Sequence, residues 1–355
     1  MRLQHLGVLF LALSLLACDV AEEPGPAPSS AETSPPTSSA ANEGERTAPV
    51  DSRWRSHLDS WPTGEVSARA PLVVRFTHPV VSEEALETAA QGVARLEPEA
   101  GFNAVFTARD RLEIRPDGPL ERGRSLTLTL FPQGLSGVDD GLPPLRLPLT
   151  VRRQQLSLRV DALAPVDDAP NRMRLAGELT TVDQADPLAV QAALTATQAD
   201  RRLDIEWHHG AAGLSHGFQI GAIRRDGEPA PVVLRWNGEP LAVEESGERQ
   251  YPVPAEGAFQ VIAARTLSYP QPHIRVQFSQ PLMGHQDTAG LVRVNGKEAQ
   301  VRIDGSQLLV YPGGEAGDDG AVTLTVGAGL RSASRARLDG EFTQDLVLRV
   351  AKPGV

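Results

Sequence analysis

Apolar and polar side chains alternate one for one along much of this chain. In "APLVVRFTHPV", Leu72, Val74 and Phe76 share one face, while Val73, Arg75 and Thr77 share the other. "RLEIRP", "SLTLTLFP" and "LRLPLTV" keep the same period of two. That period sends one side of an extended strand into a core and the other into solvent. Gly/Pro clusters such as "PDGPLERG" and "SGVDDGLPP" punctuate the runs. The pattern predicts antiparallel sheets stacked as sandwiches, an all-β fold. One short stretch, "SEEALETAAQGV", reads as a helix instead.

The phrase "VRFTHPV" near the front returns as "RVQFSQPL" near the end, and Phe76 and Phe278 deliver an aromatic from matching strands. Pro79 and Pro281 follow at the same distance and remove a ladder donor. Further on, Pro116 matches Pro312, and Leu126 to Leu130 match Val322 to Val326. Matched blocks in order, separated by one change of loop length, predict that a whole module recurs. Between the copies, "RLDIEWHHG" alternates Leu203, Ile205 and Trp207, and "PVVLRWNGEPLAV" reads as a hairpin turning at Asn237-Gly238. This middle stretch, closed by "GAFQVIAART", is predicted to be another all-β module without textual kinship to the other two.

The N-terminus breaks the pattern. "MRLQHLGVLFLALSLLAC" places Arg2 before an apolar run ending at Leu16, then Ala17 and Cys18. These are the parts of a secretory signal, and the run is short for a bilayer span. Leu15-Leu16-Ala17-Cys18 resembles the bacterial lipobox, with cleavage between Ala17 and Cys18 and lipid carried on Cys18. Each buried methylene of an acyl chain contributes roughly 0.8 kcal/mol, so several chains anchor firmly. From Val20 to about Asp51, Pro, Ser, Ala, Thr and Glu dominate. Such a composition cannot offset ordering entropy, and it predicts a disordered tether spanning roughly 30 Å. Asp19 favours the inner membrane over the outer one by the enterobacterial sorting pattern.

Charge and cysteine usage exclude several functions. The net charge is -11 with no basic block, which argues against nucleic-acid binding. Cys18 is the one cysteine, so neither an internal disulfide nor a cysteine metal site is available. No cofactor is expected, since no Gly-rich phosphate loop occurs.

Candidate chemistry is sparse. "GLSHG" (Gly213 to Gly217) matches the G-x-S-x-G nucleophile elbow, with Ser215 central and His208, His209 and His216 nearby. An elbow needs a strand before it, a helix after it and a parallel sheet. Here "FQIGAI" reads as a strand, so a Gly-rich loop is the better account. His208 and His209 are adjacent and point to opposite faces of a strand, which suits no shared metal. "VDDG" (Val138 to Gly141), "VDD" (Val166 to Asp168) and "GDDG" (Gly317 to Gly320) lack the alternating oxygen ligands of a calcium loop and read as turns. Trp54, Trp61, Trp207 and Trp236 are expected in core or linker packing. No catalytic or metal-binding residue is predicted.

Phe278-Ser279-Gln280-Pro281-Leu282, Gln286-Asp287, Gly290-Leu291-Val292 and Gly329-Leu330-Arg331 together resemble the first macroglobulin domain of bacterial alpha-2-macroglobulin-like lipoproteins. "LDIEWHHG…SHGFQIGAIRR" resembles the segment preceding that domain, and "WPTGEVSARAPLVVRFTHPVV" resembles bacterial Ig-like domains. The resemblance implies the membrane-anchored front of a protease trap. Its partners would be membrane lipid through acylated Cys18, target proteases, and downstream macroglobulin domains or a cell-wall synthase. Relatives are many times longer, and the Cys-x-Glu-Gln thioester of many members is missing here. The implied layout is a signal peptide over 1–17, a tether over 18–58, and β-sandwiches over 59–152 (Ig-like), 153–262 (middle) and 263–355 (macroglobulin-like). The alternative function is a surface lipoprotein whose Ig-like modules bind wall, sugar or protein. Either way the chain is expected in the cell envelope, lipid-anchored and facing the periplasm.

Overall fold

Strands form wherever the sequence alternates. The computed structural model describes residues 51–166, 169–313 and 320–348. A four-residue helix, α1 (Ser52–Arg55), leads into β1 (Leu58–Ser60), β2 (Gly64–Val66), β3 (Leu72–Phe76), β4 (Ala94–Glu97), β5 (Phe102–Ala108), β6 (Arg111–Pro116), β7 (Ser125–Leu130) and β8 (Leu145–Val151). One sheet runs β1-β3-β6-β5 and the other β2-β8-β7-β4. Leu72, Val74 and Phe76 from the first meet Leu128, Leu130, Leu147 and Leu149 from the second in one buried core.

The middle module follows with β9 (Leu156–Val160), β10 (Ala164–Val166) and β11 (Ala169–Thr181). After helix α2 (Pro187–Ala192) come β12 (Leu194–Gln198), β13 (Arg201–Leu203), β14 (Glu206–His209), β15 (Ser215–Arg224), β16 (Val232–Asn237) and β17 (Ser246–Tyr251). Strand β11 is 13 residues long, and β9 and β10 pair with its two halves along the same edge. The last module comprises β18 (Val261–Leu267), β19 (His273–Phe278), β20 (Val292–Val294), β21 (Lys297–Glu298), β22 (Gln300–Asp304), β23 (Gln307–Tyr311), β24 (Ala321–Val326) and β25 (Phe342–Val347).

All three modules share one strand order. Lettering the core strands of each a to g in sequence, one sheet is a-b-e-d: β1-β3-β6-β5, β9-β11-β15-β14 and β18-β19-β23-β22. The facing sheet contains c-f-g: β4-β7-β8, β12-β16-β17 and β20-β24-β25. This is the arrangement of an immunoglobulin-like sandwich. Modules differ at the margins. In the first, β2 pairs in parallel with the outer edge of β8; in the others, β13 and β21 extend the sheet beyond c.

The textual repeat is a physical repeat. Phe76 N–H donates to Asp110 O at 2.7 Å, and Phe278 N–H donates to Ser306 O at 2.9 Å. Val80 N–H reaches Arg109 O and Leu282 N–H reaches Gly305 O, both at 2.8 Å. Thr77 Oγ1 donates to Ser56 O at 2.9 Å, and Ser279 Oγ donates to Ala258 O at 2.8 Å. Both phenylalanines are buried at the ends of their b strands.

Three local expectations are revised. The stretch from Ser82 forms only a 3₁₀ turn, Glu83–Ala85, and then turns again at Glu87 (φ 55) against β5, where Leu86 bridges Phe106 in parallel and Ala89 bridges Val105 antiparallel. Covering a sheet edge outweighs helix propensity there. Asn237-Gly238 is not a positive-φ turn: Gly238 has φ -76, and the left-handed residue is Ala242 at φ 58. Glycine is needed because a Cβ would lie 2.6 Å from Val243 O. The module limits also shift. Trp54 belongs to the first core and its indole donates to Pro143 O at 2.8 Å, so that sandwich begins within the stretch read as tether. Residue 262 falls inside β18, and Phe259 already packs in the last core.

Candidate functional site

Ser215 opens β15 at the end of the β14–β15 hairpin. Its hydroxyl donates to Glu178 Oε1 at 2.5 Å, across the ladder on β11. That bond, with an ion pair from Arg159, holds the Glu178 carboxyl below the usual Glu range. His216, the next residue, points to the opposite face and is fully buried. The Ser215 hydroxyl is thus directed to a carboxylate, the sheet is antiparallel, and strand β15 stands where an elbow has its helix, so the elbow geometry is absent.

The histidines divide as strand alternation requires. His208 is exposed, whereas His209 turns inward and stacks on Trp207 with ring planes 5° apart. His209 Nδ1 lies 2.9 Å from His216 Nδ1, and Gln191 Nε2 lies 3.2 Å from His209 Nε2. The two rings meet nitrogen to nitrogen, so one of them holds the proton they share. Burial first, and the neighbouring His209 second, push the His216 pKa down. Among the described residues, no three His, Cys, Asp or Glu side chains gather as a metal site.

The other candidates are structural. Asp139 Oδ1 accepts from Gly141 N–H at 2.9 Å, an Asx turn. Trp61 packs against the first core, and Trp207 and Trp236 against the middle one. The signal peptide, Ala17, Cys18 and the tether through Val50 lie outside the described residues, as do Asp167, Asp168 and the Gly317–Asp319 part of "GDDG".

The best-built constellations were not singled out by sequence. They sit at the two junctions between modules. At the first, Asp183, in the loop after β11, is 2% exposed. Its Oδ2 accepts from Ala68 N–H and Arg122 Nη1, both at 2.9 Å and both from the first module. Gln154, between the modules, pairs with the Asp183 backbone in both directions at 3.0 Å. Burial disfavours the charge on Asp183. Donors from Ser67, Ala68, Gln184 and Arg122 outweigh it and hold the carboxyl below the usual Asp range.

At the second junction, Arg225 is also 2% exposed. Its guanidinium donates to Pro254 O (3.3 Å), Pro170 O (3.2 Å), Ala255 O (2.8 Å), Ala258 O (2.6 Å) and, in the last module, Ser279 O (2.9 Å). These five bonds use the full donor set of an arginine, and no carboxylate is among the acceptors. Burial pulls the Arg225 pKa down while Glu256 opposes it. Gln280 adds bonds to Gly257 O and Ala258 O at 2.8 and 3.1 Å. The second half of the repeated phrase, Ser279-Gln280, is thus a docking element. A third contact joins the same modules: Arg265 pairs with Asp161 at 3.2 Å.

No protein-family model matches the sequence, and no curated protein does. Among solved structures, it is similar to SGBP-B of the Bacteroides ovatus mixed-linkage glucan utilization locus, in complex with a heptasaccharide: 10% identity, 82% of this chain, 67% of that one, TM-score 0.24. L,D-transpeptidase 3 of Mycobacterium tuberculosis matches over 34% of this chain and 46% of that one at 15% identity, TM-score 0.19. The ICAM-5 D1–D4 ectodomain matches over 82% and 76% at 12% identity, TM-score 0.20. At such superpositions the likenesses carry no functional argument; the sandwich assignment rests on strand order.

Proposed function

We propose that this chain is a lipid-anchored protein of the bacterial cell envelope whose three Ig-like modules act together as a binding and spacing element, with no reaction of their own. The anchor rests on the Leu15 to Cys18 lipobox, and the module set on the observed sandwiches. One observation carries the reading: each junction encloses a charged side chain, Asp183 or Arg225, bonded to both neighbours. A flexible linker would leave those groups in water at no cost. Burying them is tolerable only when every donor and acceptor is placed, which fixes one module against the next. Fixed modules hold their surfaces in a set arrangement relative to one another, at the end of the tether.

The protease-trap role implied by the macroglobulin resemblance has no feature of this structure in its favour beyond the sandwich fold, and we do not adopt it. The test is backbone NMR relaxation on the segment from residue 46 onward, with mass spectrometry of the membrane-extracted protein. Common tumbling of the three modules and an acylated Cys18 are expected. Three separate correlation times, or an unmodified Cys18 in the membrane fraction, would overturn the reading.

A further inference from the structure

The outer face of the last module carries a row of arginines, in a chain whose net charge is -11. Ile274, Val276, Leu308 and Val310 point into the core, so Arg275 and Leu309 between them face outward. Strand pairing sets the row: Arg265 lies opposite Arg275, Arg275 opposite Leu309, and Leu309 opposite Arg302. Strand spacing puts the Arg265 and Arg275 backbones roughly 5 Å apart, with Arg302 roughly 10 Å beyond. Like charges directly opposite repel. Asp161 relieves Arg265 at 3.2 Å, and Asp304 stands 3.9 Å from Arg302. Among the described residues Arg275 pairs with no carboxylate; it is half-buried, and its Nε is enclosed without an acceptor. A guanidinium placed in this way calls for an anion.

The first module shows what completes such a set. The corresponding row there runs Val73, Glu113, Val105. The Glu113 carboxylate is held by Arg111 at 2.9 Å and Arg115 at 2.7 Å, and the residue is 9% exposed. Arg111 Nε is likewise enclosed without a partner, but its Nη2 has that carboxylate. The first module thus carries its own anion on this face. In the last module arginines stand at the two valine positions, and Leu309 stands where the carboxylate would be.

The neighbours of the row point to the chemistry of its ligand. Tyr311, two residues after Leu309, shares the face, is half-buried, and has its ring 5.7 Å from that of His273. Gln300 stands opposite Tyr311, and Gln307 flanks Leu309 on the other side. An aromatic ring packs on the C–H face of a sugar, amides bond sugar hydroxyls, and arginine grips a carboxylate with two parallel bonds. We propose that this face binds an acidic polysaccharide, a chain of uronate rings laid across the strands, with carboxylates on Arg275 and Arg302 and a ring against Tyr311. Arg265 and Arg302, the ends of the row, are 41% and 66% exposed, so a chain can run past either. An acidic peptide would bring carboxylates but neither the ring faces for Tyr311 nor the hydroxyls for the amides. The proposal gives the binding role above a location, and so rests on that reading.

The experiment titrates the isotope-labelled full chain, solubilised in detergent, with hexagalacturonate and reads the arginine Nε–H signals. The Arg275 and Arg302 signals should shift, and affinity should fall as salt rises. Arg275→Gln and Arg302→Gln should each weaken binding about tenfold, the worth of one charge-assisted hydrogen bond, without lowering the melting temperature. Leu309→Glu, which copies Glu113 of the first module, should abolish binding by supplying the carboxylate from within. If that variant does not fold, the two glutamine variants decide. A neutral galactose hexamer, hexaglutamate and inorganic polyphosphate are titrated alongside. Any of these binding as tightly as the uronate would overturn the proposal, and hexaglutamate in the lead would make an acidic peptide the ligand. No binding of the uronate, or glutamine variants that bind it like the parent, would overturn it too. Relaxation data from the same samples keep the two proposals apart. Common tumbling without uronate binding sinks only this face, and separate tumbling with binding intact sinks only the rigid array.

Discussion

The two junctions bury opposite charges and satisfy them differently. Asp183 is an anion met by backbone N–H groups and a partly exposed arginine, whose side chain is 16% exposed. Arg225 is a cation met by carbonyls alone, two of them from prolines. The first junction is an ion pair reinforced by amides; the second is a hydrogen-bond cage. An ion pair can lose its attraction by protonation. A cage cannot, but it fails as a unit, since all five acceptors depend on one side chain.

The largest predicted effect is therefore at Arg225. Arg225→Ala strands its carbonyls and should cost on the order of 3 kcal/mol in urea denaturation, with the last two modules melting in separate steps. Arg225→Lys should not restore a single step, because an ammonium has three donors in place of five. One cooperative transition in Arg225→Ala would break the comparison.

Next comes Asp183. Its folded pKa is depressed, so its contribution is present above the unfolded value near 3.9 and is lost as pH falls through the folded value. Asp183→Asn should cost about 2 kcal/mol at neutral pH and flatten the acid limb of the stability curve. A parent and variant with parallel acid limbs would place the acid sensitivity elsewhere.

The smallest effect sharpens the contrast from within the middle module. The His216 pKa is lowered, so the neutral ring stabilises the fold above about 6.5, and that contribution fades as pH falls through the folded value. Melting temperatures at pH 7.5 and 5.5 should differ by a few degrees more in the parent than in His216→Gln. An equal difference would remove the histidine pair from the acid response.

Alternation and the doubled phrase made the outer modules legible, down to the matching bonds of Phe76 and Phe278. The middle module has the same strand order without the same words. Its a strand is broken between β9 and β10, and its d strand carries Trp207 and two histidines where a plain alternation would stand. Strand order follows from which face is apolar and where turns fall, so it survives when the text does not. The junction residues were invisible for another reason. Asp183 and Arg225 lie in "TVDQADP" and "IRRDGEP", which read as ordinary turns. Their partners are distant, with Ala68 115 positions from Asp183 and Ser279 54 from Arg225.

The hydroxyl that follows each repeated phenylalanine, Thr77 in one copy and Ser279 in the other, grips the stretch leading into its own sandwich. A gene segment copied in tandem would carry that grip along with the sandwich. Lineages could then lengthen or shorten the array by whole units, while each seam is left to residues outside the repeated phrase, as Asp183 and Arg225 are here.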